Sequence, residues 1–111
     1  MTYLDTDMIS ELRMILEEDL DEIVAEFTET LEQRIDQLYQ SYHAGEHAQI
    51  AELAHSIKGS AGNLGASAIA ERTAEIEQLA KAQSYTDIAP LLEELPTMGQ
   101  QTLAAFRAQG F

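Results

Sequence analysis

The chain has 111 residues, no cysteine and a formal net charge of −14, which bounds it to one domain with its own core and excludes a disulfide framework and a thiolate metal site. No stretch near the N-terminus resembles a signal peptide, and no apolar run approaches the ~20 residues that span a bilayer. Phosphate backbones and anionic membrane surfaces are repelled by such a charge, so nucleic acid and membrane are not expected partners and a cytoplasmic protein is the default.

Helical spacing of apolar residues recurs along the chain, and period-two alternation is absent. A short first helix is predicted from about Thr6 to Leu16, with Asp5 as N-cap. A long second helix covers Asp19 to Tyr42, where Leu20, Val24, Phe27, Leu31, Ile35, Leu38 and Tyr42 form a heptad-like stripe suited to bundle packing; Gly45 ends it. The acidic run Glu17, Glu18, Asp19, Asp21 and Glu22 reads as a solvated face and helix start. The third helix carries His55 and runs to about Leu64. The fourth spans about Ser67 to Gln83, with Ile69, Thr73, Ile76 and Leu79 inward. The fifth runs from about Asp87 to Arg107 and buries Leu91, Leu92, Leu95, Leu103 and Phe106. Pro90 is tolerable in its first turn, whereas Pro96 falls mid-pattern and is expected to kink or interrupt it. Met8, Met14 and Met98 read as core filler. The expected architecture is all-α: an antiparallel four-helix bundle, residues 1–111, with a short additional N-terminal helix over one end.

The most informative run is LAHSIKGSAGNLGA at residues 53–66. On a helical wheel of about 100° per residue, Ile50, Leu53, Ile57, Ala61 and Leu64 make a buried stripe, and His55 lies roughly 140–150° from its centre, pointing to solvent. Ala48, Ala51, Gly59 and Gly62 fall within about 40° of His55, so the histidine stands on a strip almost without side chains. Lys58, one of only two lysines in the chain, flanks it three residues on, where helix positions share a face. Histidine suits proton or covalent group transfer near neutral pH, and a lysine beside it can hold an anion. Two helix-interior glycines cost roughly 1 kcal/mol each relative to alanine. On an exposed face, that cost fits the close approach of something large. His43 and His47 are four apart, but Gly45 lies between them at the helix break and no third ligand is evident, so they read as surface histidines.

His55, Lys58, Gly59, Ser60, Leu64 and Gly65 together resemble the phosphoacceptor helix of histidine-containing phosphotransfer (HPt) domains. Their pattern is a histidine, two variable residues, lysine, glycine and a small residue, then a leucine–glycine pair near the helix end. Length and helix order fit the family over nearly the whole chain. The resemblance implies that His55 accepts a phosphoryl group through Nε2, that Lys58 neutralises phosphoryl oxygens, and that Ala51, Gly59 and Gly62 form a receiver-docking strip. In some family members a glutamate or glutamine 22 positions after the histidine fixes its tautomer; that position is Glu77, with Gln78 as the fallback. The implied partners are response-regulator receiver domains and a sensor histidine kinase, and the receiver is expected to bring the Mg²⁺. No cofactor of its own is implied, and the glycines sit within or at the end of a helix rather than in a nucleotide-binding loop, so the chain is not expected to use ATP. A monomer is expected because the bundle closes on itself. Two other readings stay open: an adaptor that binds a receiver or kinase without carrying phosphate, and the substrate domain of a chemotaxis-type kinase. Retention of His55 with Lys58 and Gly59 argues against the adaptor, and the start at Met1 and the lack of a trailing linker favour a free-standing protein.

Overall fold

The helical periodicities resolve into five helices and no strands in a computed structural model that describes residues 1–111: α1 (Thr6–Leu16), α2 (Glu18–His43), α3 (His47–Asn63), α4 (Ser67–Lys81) and α5 (Tyr85–Ala108). Three-residue turns join α2 through α5, which forces antiparallel neighbours. Each of these helices packs on the next, and α5 closes the bundle against α2. The stripe expected on α2 is buried at Leu20, Val24, Phe27, Leu31, Ile35 and Leu38, and Tyr42 is half-buried with its hydroxyl donating to the Tyr85 carbonyl at 3.1 Å. Phe27 meets Phe106 edge to face across the α2–α5 seam, with centroids 6.1 Å apart.

The α3–α4 seam is the closest in the bundle. Its buried residues include Ala54, Ala61, Ala66, Ala68 and Ala80. Small side chains let two helix backbones approach within reach of short polar contacts. Buried hydroxyls are satisfied within their own helices, Thr73 donating to the Ile69 carbonyl at 2.7 Å and Thr102 to Met98 at 2.8 Å.

Helix α1 begins and ends where the sequence places it, and the Asp5 carboxylate accepts from the Met8 N–H at 3.1 Å as N-cap. It lies over one end of the bundle. The Asp5 N–H donates to the Gly65 carbonyl at 2.8 Å, and Arg13 reaches the Gln109 carbonyl and sits over the Phe111 ring. Ile9 is its buried residue, with Leu12 and Leu16 half-buried on the same side. That register turns Met14 outward, 82% exposed, so it is not core filler as expected. Met98 is buried and Met8 half-buried.

Helix α5 also departs from expectation. It starts at Tyr85, two residues early, so Pro90 lies a turn inside rather than in the first turn. It runs unbroken through Pro96. Both prolines are exposed while Leu92, Leu95, Met98 and Gly99 face inward. Each ring therefore projects into solvent, where water can meet the carbonyl that loses its N–H partner. Leu91 and Leu103 are only half-buried, as is Leu79 on α4, which ends at Lys81 rather than Gln83.

Gly65, in the α3–α4 turn, has φ +74°, and a Cβ built there would lie 3.2 Å from the Asp5 carbonyl oxygen. The backbone is left-handed and the N-terminal segment presses against it, so both requirements select glycine. Gly65→Ala is expected to lower the unfolding free energy by about 1–2 kcal/mol. Urea denaturation checks this, and an unchanged midpoint would show that the segment before α1 does not pack there.

Candidate functional site

The third helix presents His55 as the wheel requires. Ile50, Ala54, Ile57 and Ala61 are buried on the core side, and the His55 side chain is 67% exposed on the other. Gly59 and Gly62 are exposed, and a Cβ added at either would meet nothing within 4 Å. Neither glycine serves helix packing. Ala51 is half-buried against the core and forms the edge of the strip rather than its floor. On the α2 side the strip is bounded by Arg34, which donates to the Ser60 hydroxyl at 3.1 Å.

Beneath the strip lies Glu77, 4% exposed and the one buried charged residue of the chain. It stands on the inner face of α4 with Thr73, Ile76 and Ala80. His55 Nδ1 is 2.9 Å from Glu77 Oε2, and Lys58 Nζ donates to Oε1 at 2.6 Å. Gln78, the alternative, is exposed and makes no contact with the histidine. A third group was not foreseen: Lys81 Nζ lies 3.0 Å from Glu77 Oε2, one helical turn on. Two sequence signals point to it in retrospect. It is four residues after Glu77, and it is the other of the chain's two lysines. Both lysines therefore converge on one carboxylate.

These contacts fix the ionisation of the carboxylate. The Lys58 hydrogen bond, aided by Lys81 and His55 and opposed by burial, holds Glu77 down from 4.5 to about 2. An ionised carboxylate only accepts, so His55 Nδ1 must carry the proton it shares with Glu77. In the neutral ring the lone pair is then on Nε2, which makes no hydrogen bond within the protein. The arrangement thus offers an oriented, exposed nitrogen nucleophile beside two ammonium groups.

His43 and His47 do not join this site. His43 packs against Tyr39 and Tyr42, and His47 stacks on Tyr85 with centroids 3.6 Å apart. No third His, Asp or Glu stands with them in a metal-holding group. No helix is long and apolar enough to cross a membrane.

The Glu77 contacts carry a pH signature. A carboxylate whose pKa is depressed on folding stabilises the fold above its unfolded value and loses that contribution as pH falls through its folded value. For Glu77 the window is pH 4.5 down to about 2. The difference in unfolding free energy between wild type and Glu77→Gln should therefore shrink across that window. A difference that stays constant with pH would show that Glu77 is not the anchor of the cluster.

The bundle is similar to the crystal structure of histidine-containing phosphotransfer protein B (HptB) from Pseudomonas aeruginosa PAO1, with a TM-score of 0.90 and 23% identity over 96% of this chain and 93% of that one. That likeness shows the fold. No curated protein matches the chain by sequence. The sequence model of the Hpt domain, however, matches residues 22–105, from the start of α2 nearly to the end of α5, and the chain belongs to the Hpt domain family.

Proposed function

We propose that this protein is a phosphorelay intermediate in which His55 takes a phosphoryl group from a receiver-domain aspartyl phosphate, or from a kinase, and passes it to a response-regulator aspartate. The observation that carries this reading is the held imidazole, exposed at Nε2 and anchored through Nδ1 by a buried, ionised Glu77. Family membership supplies the chemical context, since Hpt proteins act in two-component phosphorelays as carriers rather than ATP-using enzymes.

The transfer balances without any redox partner. The Nε2 lone pair forms the N–P bond, and the aspartyl O–P bond breaks with its electron pair going to the leaving carboxylate. The Nδ1 proton stays on the ring against Glu77. Reversal of the same in-line step delivers the group to a second aspartate. The protein's part is position and charge: Glu77 fixes the ring, and Lys58, which pairs with Glu77 in the resting site, would turn to the phosphoryl oxygens and neutralise them. The receiver supplies the Mg²⁺ and the remaining groups. A monomeric carrier fits a bundle that closes on itself, and a cytoplasmic one fits the receiver and kinase partners proposed.

Incubation with a phosphorylated receiver is expected to give one acid-labile, base-stable phosphoryl group on His55. Intact-protein mass should show it lost in His55→Gln at unchanged helical content. Label remaining on His43, His47 or a serine in that variant overturns the assignment. A wild-type protein that binds receivers but takes no phosphate would instead be the adaptor, and one labelled only by a kinase domain with ATP would be a kinase substrate domain.

The glycine strip gives an independent check. Gly59→Gln removes a helix-interior glycine in open space, so the fold should gain roughly 0.5–1 kcal/mol. Transfer should fall at the same time, because the added side chain crowds the approach to His55. Thermal melts with transfer rates decide this: early melting, or normal transfer, would show that the receiver does not dock on this face.

A further inference from the structure

Resting on that phosphocarrier reading, we propose that Lys81 is a positioning residue that keeps Glu77 paired when Lys58 turns from the carboxylate to the phosphoryl group. The two carboxylate oxygens are used unequally. Oε1 is taken by Lys58 alone at 2.6 Å, and Oε2 is shared by His55 Nδ1 at 2.9 Å and Lys81 Nζ at 3.0 Å. Lys58 therefore has one job in the resting site and another in the phosphorylated one, and its single ammonium cannot remain fully on both. Its side chain is 36% exposed, on the same helix face as His55, so the ammonium is free to swing outward.

Without a second cation that swing would strand the carboxylate. Glu77 is nearly enclosed, and an ionised group in such a place needs partners. The imidazole N–H alone would be left, on a ring whose other nitrogen has just been phosphorylated. A carboxylate so exposed to loss of charge pairing tends to take a proton, and the obvious donor is His55 Nδ1. Losing that proton or reorienting the ring would undo the geometry that Glu77 imposes. Lys81 prevents this from the opposite side. It lies on α4, one turn from Glu77, and already touches the oxygen that holds the histidine. Although 66% exposed, it stands one turn from Glu77 on the same helix, so its contact does not depend on where Lys58 points. The lysines thus divide the work: Lys58 is mobile between carboxylate and phosphate, and Lys81 stays with the carboxylate.

A double-mutant cycle on His55 phosphorylated chemically with phosphoramidate tests this. Lys81→Ala should leave the imidazole ¹⁵N shifts of the unphosphorylated protein at their wild-type tautomer positions, because Lys58 still pairs Glu77 there. It should lengthen the phosphohistidine half-life about tenfold, the scale of one charge-assisted hydrogen bond, because a ring that has given its Nδ1 proton to Glu77 is a poorer leaving group. Lys81→Arg should restore the half-life. In a Glu77→Gln background, where no charge needs holding, Lys81→Ala should add nothing. A wild-type half-life in Lys81→Ala overturns the proposal, as does a shortened one or a tenfold change that persists beside Glu77→Gln, either of which would mean that Lys81 acts on the phosphate directly. Because the group is installed chemically, the cycle is decided even if no receiver transfers phosphate to the protein; that separate failure would count against the carrier reading alone.

Discussion

A buried carboxylate is the constraint around which this bundle is arranged. Glu77 stands on the inner face of α4 among apolar neighbours, where an unpaired charge would oppose folding. Three partners satisfy it, two from α3 and one from its own helix. They can reach it because α3 and α4 pack against each other more extensively than any other pair of helices. The same contacts that make the charge tolerable hold the imidazole in one tautomer. Stability and chemical competence are thus set by one cluster.

The glycines show how the chain separates function from packing. Gly65 is required by a left-handed backbone pressed against the N-terminal segment. Gly99 lies in the α2–α5 seam, where an added Cβ would come within 3.1 Å of Ile35 Cδ1. Gly59 and Gly62 answer to neither need, since nothing stands within 4 Å of a Cβ at either. Their helix penalty is unexplained by the fold, and the proposed docking of a receiver at His55 would account for it. Exposed glycine inside a helix, next to a reactive side chain, is in this chain the mark of a surface shaped for something outside it.

Much of this was legible in the sequence because the governing signals are local. Asp5 and Leu16 bound α1 through a cap and an apolar stripe, and the α2 heptad, the α3 wheel and the exposure of His55 follow from periodicity alone. Glu77 was reachable only through the family resemblance, because no local pattern tells which carboxylate of α4 will face a histidine on α3. The misses are tertiary. Met14 is exposed because α1 is packed from one side, a fact about what lies under the helix rather than within it. Pro96 does not interrupt α5, and its exposed side lets water reach the carbonyl that loses its N–H partner. Lys81 carries little signal of its own, because its significance depends on where Glu77 points.

Charge accounting connects the cluster to the group it is proposed to carry. The protein is strongly acidic, at −14, yet both its lysines are spent on one site. Two ammonium groups against one carboxylate leave a single positive charge beside His55. In the proposed carrier state the ring keeps its Nδ1 proton and adds a second positive charge, while a phosphoryl group brings about two negative ones. The loaded site is then close to neutral, although it lies on a surface that would otherwise repel phosphate. Near-neutrality also suits a relay, in which the group must be held long enough to be passed on and loosely enough to leave. Removing Lys58 would tip that balance toward repulsion. Removing Glu77 would leave cations with no buried anchor and a ring with no fixed tautomer, so the acidic residue is as necessary to carrying an anion as the basic ones.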